Sequence, residues 1–129
     1  MDCSQLVDGL LQNEALVSLF PTDATGHPAI YQMLSPQAEL FPRVAVFETT
    51  RAYTAWADDA PIQERSEYRL DLYARENVLR EMSAALHATL RALGFRRLSQ
   101  VQDDYLQDMD IYVKSATYTI KEQLPFPWE

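Results

Sequence analysis

The chain is predicted to be an α+β protein: an antiparallel β-sheet of about four to five strands, a long helix over residues 78–93 on one face, and one or two N-terminal helices. Three observations predict it. In Glu67–Arg75, Tyr68, Leu70, Leu72 and Ala74 alternate with Glu67, Arg69, Asp71, Tyr73 and Arg75, the pattern of a strand with one buried and one charged face. In 78–93, Val78, Met82, Ala85, Leu86, Thr89, Leu90 and Leu93 line one side of a helix. The short connections between the remaining strand-like runs favour antiparallel pairing.

The elements follow in order. Leu6, Val7, Leu10 and Leu11 form the apolar stripe of a first helix, weakened by Gly9. Asn13 can cap a second, short helix with Ala15, Leu16 and Leu19 on one side, stopped by Pro21. TDATGHP is a turn by composition. Ala29–Leu34 and Arg43–Thr49 read as strands, separated by Pro36 and Pro42, and the second is rich in Val and Phe. Tyr53–Arg65 reads as a long loop before the strand 67–75. Asn77 is placed to cap the long helix. Gly94 followed by Phe95 is placed to end it in a Schellman turn, with Arg91, Arg96 and Arg97 near the negative end of the helix dipole. RRLSQVQ forms a fourth strand, DDYLQDMD a turn, and Ile111–Glu122 a fifth strand. Its even face offers Tyr112, Ala116, Tyr118 and Ile120, and a bulge near Lys114 or Ser115 would reconcile the two faces. The expected organisation is one domain over 1–124 and a short tail over 125–129. The prolines of that tail keep it out of a central strand.

With 129 residues the chain can build a real core, and 47% hydrophobic residues exclude a disordered polypeptide. No apolar run approaches the roughly 18 residues of a membrane span, so no membrane partner is expected. MDCSQLVDGLLQNE lacks a basic n-region and does not read as a secretory signal. The net charge of −8 argues against a surface that wraps nucleic acid by neutralising phosphates. With three glycines, neither GxGxxG nor GxxxxGK[ST] occurs. One cysteine, Cys3, excludes an internal disulfide and is compatible with a reducing compartment.

No residue set points to catalysis or metal binding. His27 lies in a turn, and His87 lies beside the apolar stripe of its helix, so the two do not share a ligand spacing. Asp103, Asp104, Asp108 and Asp110 lack the alternate spacing and the glycine of a calcium loop. There is no GxSxG elbow, and Cys3 falls in a terminus expected to fray. The expectation is no enzyme, no cofactor and no metal.

Four segments bear on function. They are Ile30–Glu48; WADD at Trp56–Asp59 followed by EYRLDLYAR; LRALGFRR at Leu90–Arg97; and DDYLQDMDIYVKSATYTI at Asp103–Ile120. In order and spacing they resemble the tail completion proteins of long-tailed bacteriophages and prophages, the group that includes tail terminators, or tail-to-head joining proteins. The insertion TDATGHP and the terminal PFPWE depart from that pattern. The resemblance implies a structural virion protein assembled in the bacterial host. It would form a ring with itself, typically a hexamer, on the end of the tail tube protein, and present a surface to the head connector or neck protein. DNA would pass through the channel without specific binding. Another head-tail neck or closure protein is the alternative within that class, and a small-ligand binding or regulatory α+β module is the alternative of a different class.

The candidate assembly residues are Tyr53, Trp56, Asp58 and Asp59, because Tyr and Trp are favoured interface anchors. The other reading of the same loop folds Trp56 back over the sheet edge and leaves the aspartates to solvate a turn. Phe126 and Trp128 form either a docking peptide or a free tail. Arg96 and Arg97 read as helix-end charges, with an interface role second.

Overall fold

A computed structural model describes residues 2–33, 40–76 and 79–125. Its elements are α1 (Cys3–Leu11), α2 (Glu14–Val17), β1 (Ile30–Gln32), β2 (Arg43–Ala57), β3 (Ala60–Ala74), α3 (Leu79–Ala92), β4 (Arg96–Leu106) and β5 (Ile111–Gln123). The strands make one five-stranded sheet in the order β1-β2-β3-β5-β4. The α+β architecture is the one the residue pattern predicts.

One departure is that β1 runs parallel to β2, with Ile30 opposite Val44 and Gln32 opposite Val46. The sequence expectation was antiparallel throughout. β1 has three residues and spans only about 10 Å, so a short connection is enough to return to its starting end. Val46, Leu70 and Ala116 lie in one row across the sheet. With Val44, Leu72, Tyr68 and Tyr118 they form the sheet side of the core cluster, which Leu6 and Leu10 of α1, Leu16 and Met82, Leu86 and Leu90 of α3 complete. Helices therefore cover this face of the sheet.

The local choices mostly follow the sequence. Asp2 and Gln5 form a reciprocal capping box at α1. This anchors the first turn, and Cys3 is buried with its Sγ 3.5 Å from the Val46 carbonyl. The expected fraying is absent there. Burial, then the charges of Glu48 and Asp2, push the thiol pKa up, which suits packing rather than nucleophilic chemistry. Asn13 caps α2 by accepting from the Leu16 N–H at 3.1 Å. That helix is too short to carry the expected stripe: Leu16 and Phe20 are buried, while Ala15 and Leu19 are exposed. The predicted cap Asn77 and Val78 lie outside the described residues.

At the other end of α3, the Phe95 N–H donates to the Leu90 carbonyl and the Gly94 N–H to the Arg91 carbonyl, with Gly94 at φ +98°. This is the predicted Schellman stop. On β3 the predicted face, Tyr68, Leu70, Leu72 and Ala74, is buried. Asp71, expected on the solvated side, is also buried. It accepts from the Ser115 hydroxyl at 2.7 Å and faces Arg69 at 3.3 Å. Its neighbours on β5 and β3 thus stand in for water.

Candidate functional site

The largest correction concerns Tyr53–Arg65. It is no loop. β2 and β3 continue as a paired ribbon to Ala57 opposite Ala60, closed by Asp58 and Asp59. Both aspartates have positive φ, 50° and 63°, as a two-residue type I′ hairpin turn requires. Aspartate tolerates that conformation better than most residues, so adjacent aspartates were the available signal for the turn. The signal for the strands was erased by bulges. The register shifts between Glu48 and Thr50, between Tyr53 and Ala55, and between Ala55 and Trp56. Thr49 and Thr54 are the extra residues of β2 and Ile62 that of β3; each exchanges the inner and outer faces of its strand, so no two-residue period survives along the hairpin.

β5 pairs with β3 as far as Gln63, and the Leu124 N–H donates to the Ile62 carbonyl at 2.8 Å. Beyond this point, among the described residues, β2 and β3 pair with each other alone, and the end of the hairpin forms an arm. Trp56 lies on it and Tyr53 at its base, opposite Glu64 where β5 still pairs with β3; they are 59% and 51% exposed. Their rings meet edge to face with centroids 5.5 Å apart. Trp56 therefore does not fold back over the sheet edge. The structure brings Tyr53 and Trp56 together at the base of the arm and places Asp58 and Asp59 at its tip. Arg51, held by Glu48 at 2.6 Å and facing Glu64 at 3.6 Å, braces the arm at its root.

A second hairpin projects from the opposite end of the sheet. The pairing of Ala74 with Tyr112 places the β4–β5 turn far from the β2–β3 tip. Strand β4 continues through Asp103 and Asp104 to Leu106, where the sequence suggested a turn. On this edge strand the carboxylates remain in solvent. Asp103 binds Lys114 at 2.7 Å, and the Tyr105 and Tyr112 rings pack at 4.7 Å. Only residues 107–110 turn; Asp110 has φ 54° and accepts from the Tyr105 hydroxyl. Tyr105 and Met109 are exposed at this end. The bulge expected near Lys114 sits across the ladder instead, in β4 between Arg97 and Val101.

The sequence-selected histidines are far from any shared site. His27 stacks on Tyr31 at 5.4 Å, and His87 Nδ1 lies 3.0 Å from the Tyr118 hydroxyl. Among the described residues no group of three His, Cys, Asp or Glu could hold a metal ion. Between α3 and the sheet, the cavity lined by Leu70, Leu72, Leu86 and Tyr118 measures about 20 Å³. Small-molecule sites need roughly 300–1,000 Å³. Sequence reasoning gave second place to a surface role for the arginines after Gly94. The structure gathers Arg91, Arg96 and Arg97 with His87 and Phe95 around an open pocket of about 290 Å³. Phe126 and Trp128 lie outside the described residues.

No protein-family model and no curated protein matches the chain. Among solved structures it is similar to a chain of the "Virion of native gene transfer agent (GTA) particle". The two share 13% sequence identity and superpose with a TM-score of 0.60 over 92% of this chain and 92% of that one. At this identity the likeness defines a class of fold, an α+β sheet with helices on one face, shared along nearly the whole of both chains.

Proposed function

We propose that this chain is a structural protein of a phage-like particle: a tail completion protein that closes into a ring, caps the tail tube and joins it to the head connector. The observation that carries the reading is the fold, which over 92% of its length is similar to a chain of a virion. The four sequence segments at Ile30–Glu48, Trp56–Arg75, Leu90–Arg97 and Asp103–Ile120 point to the same class. The geometry suits an adaptor. Two hairpins leave opposite ends of one rigid sheet, each with exposed aromatic or methionine side chains, Tyr53 and Trp56 at one end and Tyr105 and Met109 at the other. A protein that bridges two different partners needs two separate contact surfaces.

In this reading the chain is not an enzyme, needs no cofactor, and works in the virion neck. Its acidic balance, −8 overall, keeps a channel surface from holding DNA phosphates. The test is electron microscopy of the purified protein with tail tubes. Rings on tube ends are the expected outcome. Protein that stays monomeric and never decorates the ends would overturn the reading.

A further inference from the structure

The pocket at the end of α3 has an unusual charge. Three of the chain's 11 lysines and arginines, Arg91, Arg96 and Arg97, surround it, in a protein with 19 acidic residues. The Schellman turn builds the cluster. By reversing the chain at Gly94, it sets the last turn of α3 beside the first residues of β4. Among the described residues none of the three guanidiniums has a carboxylate at ion-pair distance, whereas Arg51, Arg65, Arg69 and Lys114 each do. The helix end contributes only about half a negative charge. That does not balance three guanidiniums, so the pocket remains an acceptor for carboxylates.

The hairpin tip is its complement. Asp58 and Asp59 are adjacent, exposed and without an ion-pair partner among the described residues. Trp56 stands beside them, 59% exposed. Stacking of guanidinium on aromatic rings already recurs in this chain, Arg43 on Tyr73 at 4.6 Å and Arg69 on Phe47 at 4.7 Å.

The tip cannot reach the pocket of its own chain. Arg96 pairs with Thr119, which pairs with Glu67 of β3. From Glu67 to the Asp59 turn is a run of strand roughly 26 Å long at the usual rise per residue. Donor and acceptor are thus separate patches held apart on a rigid sheet.

We propose that the Arg91–Arg96–Arg97 pocket receives the Asp58–Asp59 turn of a second copy of this chain. Such a contact is heterologous, one patch meeting a different patch, and repeated around an axis it closes a ring. It rests on the ring reading above and supplies its subunit interface.

The test uses the full chain and two charge-reversed forms, D58K/D59K and R96E/R97E, with sedimentation velocity over a range of concentrations and microscopy on tail tubes. Wild-type protein forms rings. Each reversed form keeps its circular dichroism and melting temperature but self-associates about tenfold or more weaker, since like charges now face each other. An equal mixture of the two recovers association and ring formation with the copies alternating, because the unchanged tip of one form meets the unchanged pocket of the other and the reversed tip meets the reversed pocket. The neutral forms D58N/D59N and R96Q/R97Q show the same order with smaller losses, and they replace a reversed form that fails to fold. Rings that survive both reversals overturn this contact and leave the ring reading standing. A defect of the arginine form alone also overturns it, and assigns the pocket to an acidic segment of another virion protein. Wild-type protein that never assembles, alone or on tubes, overturns both.

Discussion

The His87 imidazole lies 3.0 Å from the Tyr118 hydroxyl, a contact that ties the helix α3 to the strand β5 at the rim of the core. Burial first, then the charges of Arg97 and Arg91, hold the His87 pKa below the ordinary histidine value of 6.5. The unfolded chain therefore binds a proton more readily than the folded one just below pH 6.5. The contribution of this group to stability is complete above that pH and is lost as pH falls towards the lower folded value. Thermal melts should show a drop in this window, and the drop should shrink in His87→Gln.

Tyr118→Phe removes the hydroxyl and leaves the ring in the core. The expected cost is about 0.5–1.5 kcal/mol by chemical denaturation. Combined with His87→Gln, the losses should be less than additive, because both remove the same contact.

Asp23 organises the turn after α2. It accepts from Thr25 Oγ1 at 2.6 Å and from the Tyr31 hydroxyl at 3.0 Å. The Thr25 hydroxyl, the His27 and Thr25 N–H groups and the Tyr31 hydroxyl bring its pKa down to about 2. The folded carboxylate holds its charge more strongly than the unfolded one. Its stabilising effect is present above about pH 4 and disappears as pH falls through about 2. NMR titration of the Asp23 carboxyl carbon should give a midpoint of about 2, well below the ordinary aspartate value.

Leu86→Ala and Leu70→Ala remove side chains that are 5% and 4% exposed on facing sides of the helix–sheet contact. Each should cost about 2–5 kcal/mol in denaturant unfolding. Gly94→Ala meets no clash, with Ile120 at 3.7 Å, but φ is +98° there. The backbone strain should cost about 1–2 kcal/mol.

Replacing Asp58–Asp59 by Asn-Gly separates charge from turn geometry. Both residues have positive φ, and Asn-Gly is the preferred pair for a two-residue type I′ turn. The melting temperature should be unchanged or higher. Ring formation should fall as it does in D58N/D59N.

Legibility varied along the chain for physical reasons. Strand β3 beyond Glu67 and helix α3 were readable because each buries one face for its whole length, Tyr68 to Ala74 on the first and Met82 to Leu90 on the second. The arm was unreadable because Thr49 and Thr54 are extra residues in the ladder, and because little packs against it to impose a pattern. Asp103–Leu106 was misread because an edge strand tolerates acids at positions a central strand would not. Tyr53, Trp56, Asp58 and Asp59 were selected for their side chains, but their placement along one hairpin end depended on pairing that the alternation did not reveal.

By itself, the sequence determined the α+β class, the helix stop at Gly94 and the buried face of β3. These are local properties, set by periodicity, capping and residue type. Only the tertiary structure decided that β1 pairs in parallel, that Tyr53–Arg65 is a paired β-hairpin with a projecting end, and that Arg91, Arg96 and Arg97 surround one pocket. Those outcomes depend on register and on contacts between residues distant in the chain, and neither is written in a local pattern.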